Sequence, residues 1–314
     1  MKILVVYNHD STWVHDDVKI LQKHFDVDLF YYKKDKKKKN LKKLVESCDV
    51  VYIWFASYHG LKATFLAKRY GKKVVVVASG YSVADVPEFN YGLASKFYTR
   101  WIPSYILGRS DLVLAVSQSN KKEIQVLKPD KENLVVVPHG FETEKYKPAE
   151  NLDKQKMVIT VGGLDKTSFK RKGVDNFLSV AQYFPDVPFV VVGRIKDDVR
   201  DEIKDVSSNV EFTGFVSDEK LLEWYQKAKV YAQFSFHEAF GCSVAEAMLC
   251  GCIPVVSDKG SLPEVIGDVG FSVSFWDEEK AVECVKKALS EDGDMKREVR
   301  SWIVEQFSME KREQ

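Results

Sequence analysis

Residues 234–263 read FSFHEAFGCSVAEAMLCGCIPVVSDKGSLP. The stretch starts as the end of an apolar strand, turns at Gly241 and continues through residues 243–249, which are strong helix formers, before Gly251 ends the helix. The predicted order is therefore a strand, a tight glycine turn and a helix. Because the first N–H groups of a helix lack intrahelical partners and carry the positive end of its dipole, this order predicts an anion site, with a diphosphate as the expected ligand.

Two glutamates bracket the turn. Glu238 stands at the end of the strand, and Glu246 follows eight positions later in the first turn of the helix. Ser243 and Glu246 are also spaced as a capping box, in which the glutamate side chain reaches back to the serine amide. Spacing alone therefore leaves Glu246 open between a helix cap and a ligand contact. Glu238 has no local structural duty of this kind, and its alternative is a solvated loop carboxylate.

The segment also carries a longer pattern, closely similar to the E-x7-E donor-site signature of retaining GT-B glycosyltransferases of the GT4-like family. The residues that carry this resemblance are Ser235, Glu238, Phe240, Gly241, Glu246, Ala247, Gly251, Pro254, Pro263 and Glu264. The resemblance implies an α/β fold of two Rossmann-like domains facing across a cleft, a nucleotide-diphosphate sugar bound by the C-terminal domain, and a catalytic role for Glu238. The donor-binding residues that it implies are Gly163, Arg171, Lys172, Arg194, Gly214, Val216, Ser235, Phe240, Gly241, Cys242 and Glu246.

The rest of the chain fits two such domains. Short β-branched runs alternate with amphipathic stretches, a pattern typical of parallel sheets covered by helices. The predicted strands are residues 3–7, 27–32, 50–55, 73–78, 112–117 and 134–137 in the first half, and 157–161, 189–192, 210–213, 230–234, 253–257 and 271–274 in the second. The polar stretch 145–156 predicts a linker. We therefore expect an N-terminal acceptor-binding domain (1–150), a C-terminal nucleotide-sugar domain (151–294) and a C-terminal helix (295–314) that returns toward the first domain.

A basic loop in the second domain predicts a phosphate cradle. Residues 160–174, TVGGLDKTSFKRKGV, place glycines after a strand and cations ahead of a helix. The resembled family usually has an arginine and a lysine here, both on the donor diphosphate. Lys172 matches the lysine, but Gly163 replaces the arginine, which leaves Arg171 or Lys166 to supply the second cation. By the same resemblance Gly214 and Val216 line a nucleobase slot, and Arg194 is either a nucleotide contact or an exposed arginine.

The first domain gives weaker signals on the acceptor side. The loop after the first strand holds His9 and no glycine, which excludes a dinucleotide fingerprint. After the fourth strand, Gly80 and Tyr81 stand where many relatives have a histidine close to the reacting sugar. His59, in a neighbouring loop, is expected to have a structural role. The aromatic stripe Tyr91, Tyr98, Trp101 and Tyr105 is expected in the core, with a lipid acceptor contact as the alternative.

Composition limits the possible partners and the expected location. The 314 residues carry a net charge of +1, so nothing in the overall charge favours nucleic acid. The five cysteines are odd in number and never spaced C-x-x-C, which predicts free thiols in a reducing compartment. We expect a cytoplasmic protein, at most peripheral to a membrane. The run from Lys33 to Lys43 has eight lysines and is either a solvated surface or a contact for anionic lipid.

These inferences predict a retaining glycosyltransferase that moves a sugar from a nucleotide-diphosphate sugar, most readily a UDP- or GDP-sugar, to a hydroxyl acceptor. We expect no cofactor beyond that co-substrate and no metal, because the helix terminus and Lys172 already meet the diphosphate charge. Two alternatives remain. One is a nucleotide-sugar epimerase of the same fold, which needs no acceptor, and the other is a nucleotide-sugar-binding protein that has lost activity.

Overall fold

A computed structural model describes residues 1–34, 40–150, 153–199 and 201–314 of the chain. It divides into two compact units, Met1–Gly140 with Glu313 and Phe141–Arg312 with Gln314. The second unit thus begins N-terminal to the boundary expected at residue 150. Phe141 accounts for this start, since its N–H donates to the Phe307 carbonyl at 2.9 Å and its carbonyl accepts from Met309 N–H at 3.2 Å.

Twelve strands occur in the described residues, and each predicted strand is among them, with ends displaced by at most two residues. In the first unit they are β1 Lys2–Tyr7, β2 Asp26–Tyr31, β3 Val50–Trp54, β4 Lys73–Val77, β5 Leu112–Ala115 and β6 Leu134–Val136. In the second they are β7 Gln155–Val161, β8 Phe189–Val192, β9 Val210–Gly214, β10 Ala228–Gln233, β11 Ile253–Ser257 and β12 Phe271–Val273. The prediction of six strands in each half is confirmed.

Helices connect the strands and cover both sheets. The first unit has α1 Thr12–His24, α2 Asn40–Ser47, α3 Tyr58–Arg69, α4 Phe97–Arg109 and α5 Gln118–Leu127. After β7 come α6 Lys166–Arg171, α7 Val174–Ala181, α8 Asp218–Lys227, α9 Cys242–Leu249, α10 Leu262–Ile266, α11 Glu278–Ser290, α12 Met295–Phe307 and α13 Met309–Glu313. None of the helices described here is long and apolar enough to cross a membrane.

Both sheets are parallel throughout. The first has the order β2-β1-β3-β4-β5-β6 and the second β12-β11-β10-β7-β8-β9. Each sheet has its own core, around residues such as Leu4, Ile53 and Ile106 in the first unit and Phe177 and Val191 in the second. Parallel strands are covered on both faces, which explains why they read as runs of valine and isoleucine. The fold is two Rossmann-like domains, as predicted.

The order of the second sheet fixes where a ligand can bind. Counted from β7, it is the 3-2-1-4-5-6 order of the doubly wound dinucleotide-binding fold. The direction of winding reverses between β7 and β10, and in open α/β sheets the crevice beyond the carboxyl ends of those two strands binds the ligand. The loops that follow Val161 and Gln233 are therefore the first place to examine.

The aromatic stripe of the first unit is only partly buried. Ile102 and Ile106 form the face of α4 that enters the core. Tyr98 and Trp101 are exposed, and so is Phe97, at 90% of its full accessible surface. The prediction that this stripe belongs to the core is therefore wrong for Tyr98 and Trp101, because the isoleucines already fill the face that packs on the sheet.

Candidate functional site

The loops after β7 and β10 interlock. Lys172 is the C-cap of α6, and its side chain lies against the glycines that follow β7, since a Cβ on Gly162 would come within 3.0 Å of Lys172 Cδ. Gly173 has φ +64°, and a Cβ there would be 1.9 Å from the Phe234 carbonyl oxygen. Only glycine allows this approach. It brings Lys172 next to the segment that leads to Glu238.

Lys172 and Glu238 form an ion pair at the carboxyl edge of the sheet. Lys172 Nζ lies 3.2 Å from Glu238 Oε1, and the Glu238 side chain is 17% exposed. The same oxygen accepts from Gln233 Nε2 at 2.9 Å and from Ser235 Oγ at 3.2 Å. Burial by itself would raise the pKa of Glu238, but the positive charges of Lys172 and Arg171 outweigh it, so the pKa lies below its ordinary value. Glu238 is therefore an ionised carboxylate beside a cation.

The backbone of Glu238 is fixed as well. Its carbonyl accepts from Ser261 N at 3.2 Å and from Ser261 Oγ at 3.1 Å. Gly260, with φ +60°, packs so closely that a Cβ there would be 2.6 Å from the Glu238 carbonyl oxygen. The SDKGS segment recognised in the sequence thus supports the carboxylate from behind.

The helix α9 starts directly beyond Glu238. Gly241, with φ +95°, is its N-cap. The N–H groups of Val244 and Ala245 both donate to the Gly241 carbonyl, at 3.0 and 3.3 Å. The first two amides of the helix, Cys242 and Ser243, have no intrahelical partner and are the natural donors to an anion. Phe240 is buried against the rings of Phe141 and Phe307.

Glu246 lies on the first turns of α9 and is held by two tyrosines. Tyr225 OH donates to Oε2 at 3.0 Å and Tyr146 OH to Oε1 at 3.3 Å. Burial raises the pKa of Glu246 to about 7, although both hydroxyls favour the ionised form. The capping-box interpretation is wrong, because the helix begins at Cys242 and Ser243 is not its N-cap.

The candidates for a second cation occupy different places. Arg171 is buried, and its Nη1 donates to the His237 carbonyl at 3.0 Å, so its guanidinium supports the loop that carries Glu238. Lys166 is exposed in the first turn of α6. Gly163 is exposed too, and a Cβ there would meet no atom within 4 Å. The position where the resembled family has its arginine is therefore open space.

The remaining predicted donor residues lie after β8 and β9. Arg194 is exposed, with its guanidinium carbon 5.5 Å from the centre of the exposed Phe215 ring. Gly214 has φ +70° and open space around its Cα, and Val216 is partly buried. A planar cation stacked on an aromatic ring is a surface on which a flat base can stack.

In the first unit, the predicted acceptor-side residues stand at the ends of different strands. His9 is exposed after β1, whereas Gly80, with φ +52°, and Tyr81 follow β4. The ring of Tyr81 packs edge-on against Tyr91 at 5.3 Å. His59 is buried, its Nε2 lies 2.6 Å from the Trp54 carbonyl oxygen, and burial lowers its pKa to about 4. The expectation that His59 is structural agrees with this position.

The structure thus brings Lys172, Ser235 and Glu238 together in direct contact and places Gly241 just beyond them. Sequence reasoning missed four further members of the site: Tyr146, Tyr225, Tyr231 and Gln233. Only the last two had a visible signal, because polar residues at alternate positions of an apolar strand share one face.

Comparison with known proteins agrees with this architecture. Residues 120–302 match the family described as glycosyl transferases group 1, and residues 13–145 match glycosyltransferase family 4. The chain is 26% identical over 224 residues to the phosphatidylinositol N-acetylglucosaminyltransferase of Arabidopsis thaliana, a match that covers 67% of this chain and 49% of the plant protein. It is 27% identical over 210 residues to the processive diacylglycerol alpha-glucosyltransferase of Acholeplasma laidlawii, covering 60% of this chain and 61% of that one. The chain thus spans about half the length of the curated relatives it matches.

Solved structures of glycosyltransferases share the fold. Anabaena HepE, crystallised in complex with UDP, superimposes with a TM-score of 0.78 at 17% identity, over 100% of this chain and 97% of that one. Sucrose-phosphate synthase from Thermosynechococcus elongatus gives a TM-score of 0.78 at 14% identity, over 100% of this chain and 96% of that one. These likenesses identify the GT-B fold. Since the group 1 match covers more than half of its residues, this chain belongs to the glycosyl transferases group 1 family, with a GT4-like sequence and a GT-B fold.

Proposed function

We propose that this protein is a retaining glycosyltransferase that moves a hexose from a nucleotide-diphosphate sugar to a hydroxyl acceptor. The observation that carries the proposal is the ion pair of Lys172 with Glu238 at the switch point of the second sheet, directly ahead of the α9 N-terminus. A cation and helix amides suit a diphosphate, and an ionised carboxylate suits a sugar hydroxyl.

Each donor contact has a stated task. Lys172 and the amides of Cys242 and Ser243 neutralise the diphosphate. Glu246 accepts hydrogen bonds from the ribose hydroxyls, which replace or join its tyrosine partners. Glu238 accepts from a hydroxyl of the transferred sugar. A UDP- or GDP-sugar is the expected donor, and support for the first comes from the UDP complex of Anabaena HepE, which shares the fold.

In the reaction, the bond between the anomeric carbon and the diphosphate oxygen breaks, and the acceptor oxygen forms its bond on the same face of the sugar. The acceptor proton passes to an oxygen of the departing diphosphate. Lys172 and the helix terminus stabilise the negative charge that grows on this leaving group. Glu238 holds the ring in place and forms no covalent bond to it.

We propose that transfer needs no metal ion and no cofactor beyond the nucleotide sugar. The diphosphate charge is already met by Lys172 and by the positive end of α9. Transfer should continue undiminished in the presence of a chelator, and its full loss would remove this part of the proposal.

The partner surface on the first unit is proposed to be a peripheral contact with anionic lipid. The run from Lys33 to Lys43 supports it, although residues 35–39 lie outside the described residues. Phe97, Tyr98 and Trp101 add exposed aromatic rings on α4, a helix whose sequence contains no acidic residue. Co-sedimentation with phosphatidylglycerol vesicles, but not with phosphatidylcholine vesicles, should be lost when all three aromatics are replaced by serine.

One assay separates the proposed activity from its alternatives. Nucleotide sugars are first screened by thermal shift, where a ligand at a hundred times its Kd adds roughly 2.7 kcal/mol of stability. The best donor is then incubated with and without acceptors, and free nucleotide diphosphate is measured. Release that depends on an acceptor supports the transferase. An epimerised nucleotide sugar formed without acceptor indicates an isomerase, and tight binding without even slow hydrolysis indicates a protein that has lost activity.

A further inference from the structure

A line of buried polar side chains runs along β10 to the candidate site. Tyr231 and Gln233 alternate on this strand and Ser235 follows it, and all three are buried, with Gln233 only 2% exposed. Their neighbours on the strand are apolar. A buried amide costs free energy unless its donors and its acceptor are all bonded, so the partners of Gln233 reveal what this side chain does.

The amide of Gln233 has opposite partners at its two ends. Nε2 donates to Glu238 Oε1 at 2.9 Å and to Ser235 Oγ at 3.1 Å. Oε1 accepts from Tyr231 OH at 2.9 Å and from Ser243 Oγ at 3.2 Å. Hydroxyls can donate or accept, but an ionised carboxylate can only accept. Glu238 therefore requires the amide nitrogen on its side, and the two hydroxyls hold the amide in that orientation.

The three donors to Glu238 converge on one oxygen. Lys172, Gln233 and Ser235 all reach Oε1, and no described residue donates to Oε2. The carboxylate is thus fixed through one oxygen and presents the other to a ligand. Gln233 and Ser235 keep this arrangement when Lys172 directs its charge to a diphosphate, because neither of them depends on the ion pair.

We propose that Gln233 is a positioning residue for sugar transfer: its amide, oriented by Tyr231 and Ser243, clamps Oε1 of Glu238 so that Oε2 receives a hydroxyl of the donor sugar. This inference rests on the proposed function, in which Glu238 binds the sugar. It assigns to Gln233 an effect on the sugar moiety and none on the nucleotide diphosphate.

The test uses Gln233→Met, which keeps the length of the side chain and removes both donors. Gln226→Met is the matched control, because Gln226 donates to the Lys147 carbonyl and makes no described contact with Glu238. For the nucleotide that stabilises the wild type, Kd is measured by calorimetry with and without the attached sugar. We expect Gln233→Met to lose about tenfold in kcat and in affinity for the nucleotide sugar, with the Kd of the bare nucleotide diphosphate unchanged within twofold.

A double-mutant cycle makes the route explicit. If Gln233 acts through Glu238, Gln233→Met should have little further effect in a Glu238→Gln background. Fully additive losses, or an equal loss of affinity for the bare nucleotide, would reduce Gln233 to a structural residue and overturn the proposal.

Failure of the proposed function is distinguishable from failure of the clamp. If no nucleotide sugar binds the wild type, the proposed function is wrong. The clamp is still judged by carbon-13 NMR of labelled glutamate carboxyls, where Gln233→Met should raise the pKa of Glu238 relative to Gln226→Met, because a hydrogen-bond donor to the charged form is removed. An unchanged pKa overturns the clamp.

Discussion

The hydroxyl of Tyr225 donates to Glu246 Oε2 at 3.0 Å. With Tyr146 on the other oxygen, at 3.3 Å, both carboxylate oxygens have a neutral donor and none of the described residues forms an ion pair with them. Neutral donors offset burial only in part, so the pKa of Glu246 rises to about 7. The neighbouring Glu238, which has a lysine partner, moves in the opposite direction. Two glutamates of one motif thus differ in charge near neutral pH.

This pKa makes stability depend on pH in a defined direction. In the unfolded chain Glu246 ionises near its ordinary value of 4.5, whereas in the folded protein it keeps its proton up to about 7. Between these values the folded state binds more protons, so the contribution of Glu246 to stability is lost as pH rises from 4.5 to 7. At 1.36 kcal/mol per pKa unit the loss amounts to up to about 3 kcal/mol.

Glu246→Gln should remove this dependence. Urea unfolding at pH 5 and pH 8 measures it: relative to the wild type, the variant should become more stable at the higher pH. Glu298→Gln, at an exposed position of α12, is the control and should follow the wild type. A constant difference between Glu246→Gln and the wild type would show that Glu246 is ionised in the folded protein at both pH values.

Donor affinity gives a second prediction for the same residue. If Glu246 accepts hydrogen bonds from both ribose hydroxyls, an amide spoils one of them, and the Kd of the nucleotide sugar should rise about tenfold, on the scale of roughly 1.5 kcal/mol for a hydrogen bond to a charged group. Tyr225→Phe should change Kd less, since it leaves the carboxylate in place. Calorimetry at pH 8, where Glu246 is ionised, measures both, and an unchanged Kd in Glu246→Gln would remove the ribose contact.

Lys172→Ala should weaken donor binding and slow transfer together. The charge of Lys172 meets the phosphates in the bound donor and meets more negative charge in the transition state. We expect a 10- to 100-fold rise in donor Kd, on the scale of about 1.5–3 kcal/mol per charged hydrogen bond, and a fall in kcat. Lys170→Ala, exposed on the same helix, is the control. Unchanged kinetics in Lys172→Ala would move the role to Arg171 or Lys166.

Gly163→Arg is expected to improve the site. A side chain fits at this position, because a Cβ would meet no atom within 4 Å, and the loop lies beside Lys172. A second cation should tighten binding of the nucleotide diphosphate about fivefold at low salt, the scale of roughly 1 kcal/mol for an exposed charge pair, and less at high salt. Gly163→Gln supplies the same bulk without charge. Equal affinities of the two variants would place the diphosphate out of reach of residue 163.

The sequence predicted the strands and the ends at which the site forms, because buried parallel strands must be continuous apolar runs and their carboxyl ends share one edge. Lys172 and Glu238 follow two such strands and do meet. The contacts of Glu246 could not be predicted in this way. Tyr146 and Tyr225 reach it from distant segments whose approach is set by packing, and Gly241 starts the helix before Ser243 can cap it. Local spacing gave the wrong partner there.

The stereochemistry of the product tests the proposed reaction most directly. Inversion needs a base beside the acceptor hydroxyl, on the face opposite the leaving group. Among the described residues that follow strands of the first unit, His59 is buried on a backbone carbonyl with its pKa lowered to about 4, and Asp85 is bonded to Arg100 at 2.7 Å. The anion site of the second unit, by contrast, holds the diphosphate where its own oxygen takes the acceptor proton during attack on the same face.

We therefore expect an α-linked product from an α-linked nucleotide sugar, read from the anomeric proton coupling by NMR. Glu238→Gln should slow transfer by about tenfold or more without trapping a glycosyl-enzyme, since this carboxylate binds a hydroxyl and does not attack the anomeric carbon. A covalent adduct at Glu238 in the mass spectrum would contradict that role. A β-linked product would overturn the mechanism and direct attention to the exposed pair His15 and Asp10, whose side chains lie 2.6 Å apart and form an arrangement suited to a general base.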